Sequence, residues 1–260
     1  MVKRDMEEIL DKVLVADSFK SSIHSYEENA TVQKEISNQF FNLLQRHECI
    51  DYSQVLEIGC CTGVLTEMVT GNNDVKKIWL GDIVSEFCDI TALRIRKHLE
   101  QINVLPGDIE ETVLPQNLNL VLSSSTFQWM NDLPALMKKI SESLVSGGHL
   151  AFSIFGPGTM EEITELTGRG LAYFSHENLL KELSAHFKII HSHQETKRIY
   201  FPTVRGVLRH IQTTGVGGLG KHRWTKSELQ QFEQRYVTRF GTDLGVPVSY
   251  VSGFFIAEKQ

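Results

Sequence analysis

The chain is poor in cysteine. Its four, Cys49, Cys60, Cys61 and Cys88, show neither the paired spacing of a zinc site nor that of a disulfide framework. Adjacent cysteines such as Cys60 and Cys61 make poor geometry for a disulfide, so a reduced, cytoplasmic setting fits best. Long apolar runs are missing too, and none approaches the ~20 residues that cross a bilayer. The N-terminal stretch carries Asp5, Glu7, Glu8 and Asp11, which argues against a secretory signal. An excess of positive charge is absent: the net charge of -6 disfavours nucleic acid as a general partner. His176, His186, His191 and His193 fall close together, but without an H-E-x-x-H or similar metal spacing. His191 and His193, at alternate positions, read as the polar face of a strand and not as ligands. No Ser-His-Asp or Cys-His arrangement can be argued.

What is present is an alternation of apolar runs. After residue 50, candidate strands at 54–58, 77–82, 102–105, 118–122 and 148–155 alternate with helical patterns at 64–70, 85–99 and 132–145. That order predicts an α/β fold with a parallel, doubly wound sheet. An earlier helix is expected over 32–47, from the spacing of Val32, Ile36, Phe40, Leu43 and Leu44. Ser175 can cap a helix through Leu179, Leu180 and Leu183. Sixth and seventh strands are expected at 187–201 and 247–257. About fifty residues between them break the alternation, with helix-like stretches at 203–213 and 225–239 joined by a glycine-rich segment. An insertion there sits over the C-terminal edge of the sheet, where open α/β folds bind ligands. Residues 1–260 therefore read as one domain, with 1–47 as a helical arm and about 202–240 as a helical cap for substrate.

The most informative stretch is Val55-Leu56-Glu57-Ile58-Gly59-Cys60-Cys61-Thr62-Gly63. A strand feeds a tight turn, and Val64, Leu65, Met68 and Val69 then open a helix. Gly59 and Gly63 allow the backbone to approach a ligand. A dinucleotide turn reads G-x-G-x-x-G and cradles a pyrophosphate on the helix N-terminus. Glu57 would repel that group and would suit a cation instead. The E-x-G-x-C-x-G pattern resembles motif I of class I S-adenosylmethionine-dependent methyltransferases, with Cys61 in place of the usual middle glycine. Asp82 ends the second strand, in position to accept hydrogen bonds from ribose hydroxyls. Asp108, in Leu105-Pro106-Gly107-Asp108-Ile109-Glu110, resembles the family carboxylate that meets the adenine amino group, with Ile109 packing on the base. As a helix N-cap, Asp108 would have a purely structural role.

Ser123-Ser124-Ser125-Thr126-Phe127-Gln128-Trp129 follows the fourth strand and resembles the methyltransferase pattern ending in an aromatic-Gln-Trp triplet. The N-P-P-Y tetrapeptide of amino-methylating enzymes is absent. Trp129 can wall an acceptor pocket or fill the core. Phe19 to Tyr26 resembles the F-x-x-x-x-x-x-Y arm that folds over the cofactor in several methyltransferase families.

Taken with E-I-G-C-C-T-G (57–63), L-P-G-D-I-E (105–110) and F-Q-W (127–129), the elements A-F-S-I-F-G-P-G-T-M-E-E-I (151–163) and R-H-I-Q-T-T-G-V (209–216) resemble the malonyl-acyl-carrier-protein O-methyltransferases of biotin synthesis. The resemblance spans roughly residues 19–257. It implies a seven-stranded Rossmann-like methyltransferase sheet with a helical cap between the last two strands. It implies S-adenosylmethionine as cofactor, held by Glu57, Gly59, Cys60, Gly63, Asp82, Ile83, Asp108, Ile109 and Ser124. The acceptor is then the free carboxylate of a malonyl thioester on acyl-carrier protein, or malonyl-CoA. Trp129, Phe127, Arg198, Arg205 and His210 are the expected substrate contacts, and Tyr26 and Arg209 the expected catalytic pair. No metal is implied, and a monomer is expected.

A malonyl half-acid is already ionised at neutral pH, so the reaction needs positioning and a cation for the acceptor, which arginine supplies with two parallel hydrogen bonds. Residues 181–226 hold nine lysines and arginines against two glutamates, a basic stretch on an acidic chain that suits an acidic partner. Three rival readings stay open at this stage: a methyltransferase of small soluble carboxylic acids, a non-catalytic S-adenosylmethionine-binding module, and a nicotinamide oxidoreductase, the last opposed by Glu57.

Overall fold

Seven strands form one sheet in the order β3-β2-β1-β4-β5-β7-β6. They are β1 (Gln54–Ile58), β2 (Lys77–Asp82), β3 (Ile102–Pro106), β4 (Leu118–Ser124), β5 (Leu144–Phe155), β6 (Phe187–Phe201) and β7 (Val246–Lys259). The computed structural model describes residues 9–213 and 224–260. The first five strands are mutually parallel, as the alternation predicts. β7 departs from that expectation, running antiparallel to both β5 and β6. The reason lies in the connection. β6 ends at the C-terminal edge of the sheet and the cap stays on that edge, so the chain re-enters without crossing back. Only parallel neighbours need a crossover.

Helices cover both faces. α2 (Thr31–Leu44) buries Val32, Ile36, Phe40, Leu43 and Leu44, the stripe that its sequence spacing foretells. α3 (Val64–Asn72) and α4 (Ser85–Ile95) follow β1 and β2. On the opposite face, α5 (Leu133–Ser143) starts at Asp132, whose carboxylate accepts from the Ala135 amide. A short helix, α6 (Glu161–Thr167), follows β5 and was not signalled by periodicity. Ser175 caps α7 (His176–Leu183) as expected. The cap between β6 and β7 holds α8 (Val204–Thr213) and α9 (Lys226–Phe240). Thr225 and Glu228 close a reciprocal capping box at the start of α9.

Residues Lys12–Asn29 form one continuous helix, α1, begun by Asp11, which accepts from the Val13 and Leu14 amides. Only Val15 and Ser22 of α1 are buried. Its inner face meets a cleft instead of the core, so the apolar stripe that marks a core helix is missing.

Phe127 corrects an expectation. It is fully buried, with its ring centroid 5.0 Å from that of Phe152, which stacks in turn on Phe255 at 4.8 Å. It belongs to the core beneath α5 and does not line the clefts described below. Phe127→Ala should therefore cost about 3–5 kcal/mol of stability, measured by urea denaturation. Retained stability with a changed acceptor KM would return Phe127 to the substrate site.

Candidate active site

The turn after β1 is held by its own neighbours. The amides of Gly59 and Cys60 both donate to the Gly81 carbonyl, at 2.7 and 3.1 Å. The Cys61 amide donates to Asp82 Oδ2 at 2.9 Å, and the Gly63 amide to the Cys60 carbonyl at 2.9 Å. Four amides of the turn are thus spent inside the protein. A pyrophosphate cradle needs such groups aimed at the ligand, so this turn is not built as one. Gly59 has φ +77°, and a Cβ there would lie 2.0 Å from Thr126 Oγ1. Cys61, where the resemblance expects glycine, sits at φ 47°, a left-handed backbone that a side chain disfavours. Gly63 is required by packing: a Cβ would meet Thr91 at 2.9 Å.

Above this turn lies a cleft of about 680 Å³, roofed by α1. Asp82 and Ile83 line it from β2, Asp108 and Ile109 from the loop after β3, and Ser124 and Ser125 from the end of β4. Lys12, Phe19 and Tyr26 descend from α1, and Trp129 and Phe87 complete the wall. A second cleft of about 440 Å³ adjoins it, lined by Gln33, Lys34, Ser37, Glu57, Cys60 and Leu65 among others. Tyr26, Gly59, Cys61 and Ser124 line both. The fold thus gathers Gly59, Asp82, Ile83, Asp108, Ile109, Ser124, Tyr26 and Trp129 around the first cleft, with Cys60 and Glu57 in the one that adjoins it. Gly63 lines neither cleft.

The electrostatics are those of a dry site. Glu57 is buried and its Oε2 has no hydrogen-bond partner. Burial pushes its pKa up to about 8 against the pull of the nearby Thr66 hydroxyl, and Asp82 adds to the rise. Burial also raises Asp82 to about 6, against the pull of the backbone amides it accepts from. Both Asp82 oxygens are engaged, Oδ2 by the Cys61 amide and Oδ1 by the Val84 amide at 2.9 Å. Burial pushes the Tyr26 hydroxyl well above its usual value, reinforced by Cys61 and Asp82. It is a protonated donor at neutral pH. Trp129 lies edge-on to Phe19, with centroids 5.6 Å apart, and its indole Nε1 is buried without a partner.

Asp108 Oδ1 accepts from the Glu110 amide at 3.0 Å and faces Lys12 Nζ at 3.5 Å. Lys12 also pairs with Glu110 Oε2 at 2.5 Å, latching the start of α1 over this end of the cleft. Sequence reasoning missed Lys12, Gln33, Ser37 and Ser125. Gln33 was legible only as a polar interruption on the buried face of α2.

The arginines disperse. Arg198, exposed on β6, pairs with Glu161 at 3.6 Å and donates to Ser249 Oγ at 3.2 Å. Arg205 pairs with Glu233 at 2.5 Å on the outside of the cap. Arg209 is exposed on α8, with no ion-pair partner among the described residues. His210 Nε2 lies 2.9 Å from the Tyr250 hydroxyl, and burial lowers its pKa. None of these four lines the two clefts. The basic stretch is divided as well. Lys181 and Lys188 sit near the start of β6, and Lys197, Arg198, Arg205, Arg209 and Lys226 towards its end or in the cap, with Lys188 and Arg198 roughly 33 Å apart at ~3.3 Å per residue. Lys197 is paired with Glu35. Lys221, Arg223 and the close of R-H-I-Q-T-T-G-V lie outside the described residues.

The empty hydrogen-bonding capacity of Glu57, Ser125 and Trp129, beside two carboxylates at strand ends, fits a nucleoside with a cationic tail. The structure is also similar to solved methyltransferases. The N-methyltransferase NodS of Bradyrhizobium japonicum, in complex with S-adenosyl-L-homocysteine, superposes with TM-score 0.57 at 13% identity, over 94% of this chain and 98% of that one. Residues 56–152 match the family described as a methyltransferase domain. The chain is a class I S-adenosylmethionine-dependent methyltransferase.

Closer relatives narrow this. A malonyl-[acyl-carrier protein] O-methyltransferase of Bacteroides thetaiotaomicron is 34% identical, over 96% of this chain and 99% of that relative. One of Chlorobium phaeovibrioides is 35% identical, over 94% and 95%. The chain belongs to the malonyl-[acyl-carrier protein] O-methyltransferase family.

A carboxyl group whose folded-state pKa lies above its unfolded value withdraws stability as pH rises. For Glu57 the cost is absent below about 4.5 and complete above about 8. Ligand-free Glu57→Gln should therefore gain about 1–3 kcal/mol over the parent at high pH and nothing near pH 4.5. Urea midpoints across this range check it, and parallel pH profiles for the two proteins would mean that Glu57 is solvated.

Proposed function

We propose that this enzyme transfers the methyl group of S-adenosylmethionine to the free carboxylate of a malonyl thioester on acyl-carrier protein, giving the methyl ester that starts pimeloyl assembly for biotin. The observation that carries this is the near full-length likeness to relatives bearing that activity in their names. Incubating malonyl-acyl-carrier protein with enzyme and S-adenosylmethionine, then reading the gain of one methyl group by mass spectrometry, tests it. Turnover of free small acids in preference to the carrier-bound substrate would favour the rival methyltransferase.

S-adenosylmethionine supplies an electrophilic methyl group on a sulfonium. In our reading Asp82 accepts from the ribose hydroxyls, Ile83 flanks the nucleoside, and Asp108 and Ile109 hold the adenine. Glu57 faces the cationic tail, and Gly59, Cys60 and Ser124 shape the passage between the clefts. Gly63 acts indirectly, by letting the turn pack on Thr91. Tyr26, a donor in its protonated state, and Trp129 orient the acceptor at the junction. No residue has to remove a proton, because the acceptor is already a carboxylate.

Of the three candidate cations, Arg209 is the one we assign to the malonyl carboxylate, because Arg198 and Arg205 are committed to Glu161 and Glu233. His210, tied to Tyr250, then supports α8 from beneath. Docking of the acidic carrier falls to the cap side, with Arg209 and Lys226, and not to the whole basic stretch. We further infer a cytoplasmic monomer, in line with four unbridged cysteines, and no nucleic-acid partner, in line with the net charge of -6. No helix among the described residues is long and apolar enough to cross a membrane.

Asp82→Ala should weaken S-adenosylmethionine binding by about 1–3 kcal/mol; calorimetry giving unchanged affinity in the folded variant removes Asp82 from the site. Arg209→Ala should slow methyl transfer by an amount equivalent to about 2–5 kcal/mol, with S-adenosylmethionine affinity nearly intact. Arg209→Lys should also be impaired, since lysine lacks the two-pronged geometry. Full transfer by Arg209→Ala moves the role to Arg205 or Arg198.

A further inference from the structure

Gln33 is the third residue of α2 and only 6% exposed. Both polar atoms of its side chain, Nε2 and Oε1, are buried without a hydrogen-bond partner. A buried primary amide with donor and acceptor both unmet is rare in a native fold and calls for an explanation. Gln33 lines the smaller cleft, which Glu57 also lines with its own unpartnered Oε2, and Lys34 follows it on the same helix. The cleft therefore presents an acidic group, an amide that can both give and take, and a cation. A zwitterionic α-amino acid has the complementary set: an ammonium that donates and a carboxylate that accepts. The amide offers Oε1 to the first and Nε2 to the second.

We propose that Gln33 binds the amino-acid end of S-adenosylmethionine, and that the start of α2 is thereby a donor-specificity element that distinguishes the full cofactor from a nucleoside thioether lacking that end. This rests on the placement of the adenosine half beside Asp82 and Asp108 argued above. α2 reaches the site because Val32 and Ile36, on either side of Gln33, anchor it in the core. Ser37, one turn on, lies 3.3 Å from Ser124 Oγ, which joins the helix to the wall shared by both clefts.

Two ligands test the assignment by calorimetry: S-adenosylhomocysteine, which carries the amino-acid end, and 5′-methylthioadenosine, which lacks it. Gln33→Met keeps the length of the side chain but not its hydrogen bonds. It should weaken S-adenosylhomocysteine about tenfold or more, one lost charge-assisted contact, and leave 5′-methylthioadenosine within about twofold. The melting temperature of the ligand-free variant should not fall, since an unpaired buried amide has been removed. Gln33→Ala should show the same selectivity. An equal loss for both ligands, or none for S-adenosylhomocysteine, overturns the proposal. Asp82→Ala, run alongside, reports on the adenosine placement separately, because both ligands carry the ribose. Unchanged affinity for both in that variant sinks the placement while the selectivity of Gln33→Met still decides the role of Gln33.

Discussion

The closure of the first strand-to-helix turn onto β2 sets the rest of the site. Two amides converge on the Gly81 carbonyl and a third on Asp82, so the turn cannot drift from the second strand without exposing buried donors. That closure requires Gly59 to sit against Thr126 with no room for a Cβ, and Gly63 to sit against Thr91. It holds the Asp82 carboxylate and the acid at Glu57 in a fixed relation. It also spends the amides that a phosphate would need, which leaves a turn suited to a ligand read through carboxylates.

The same closure accounts for the strain at Cys61. Its amide must reach Asp82 and its carbonyl must accept from Thr91 Oγ1 at 2.7 Å, and both are met at φ 47°. A residue other than glycine tolerates this only where surrounding structure overdetermines the conformation. Burial of two acids beside it has an electrostatic consequence: each is pushed towards its neutral form in the ligand-free protein. A cationic ligand relieves what desolvation imposes, so affinity and the raised pKa values share one cause.

The site is completed by elements far apart in the chain. α1 brings Lys12, Phe19 and Tyr26 over the cleft, latched through Lys12 to Glu110 and through Leu10 to Asn131. The Ser25 hydroxyl meets the Thr213 carbonyl at 3.4 Å, which links that roof to the end of α8 in the cap. The roof of the cleft and the helical cap are thus in contact.

The sequence by itself determined the strands of the parallel half, the core stripe of α2 and the carboxylates at strand ends, because these depend on local periodicity and on turns a few residues long. Glu57, Asp82 and Asp108 were legible for that reason. Tertiary structure alone decided the direction of β7, which follows from where the cap lets the chain re-enter. It decided that Phe127 is core while Trp129, two residues on, faces the cleft: a short turn of 3-10 helix over Phe127–Trp129 sends them different ways. It separated Arg209 from Arg198 and Arg205 by placing Glu161 and Glu233 within reach of the latter two. It also turned Gln33 into a buried amide that lines one cleft with an acid from β1. Pairing and burial between residues distant in the chain are set by packing, and no local pattern of residues encodes them.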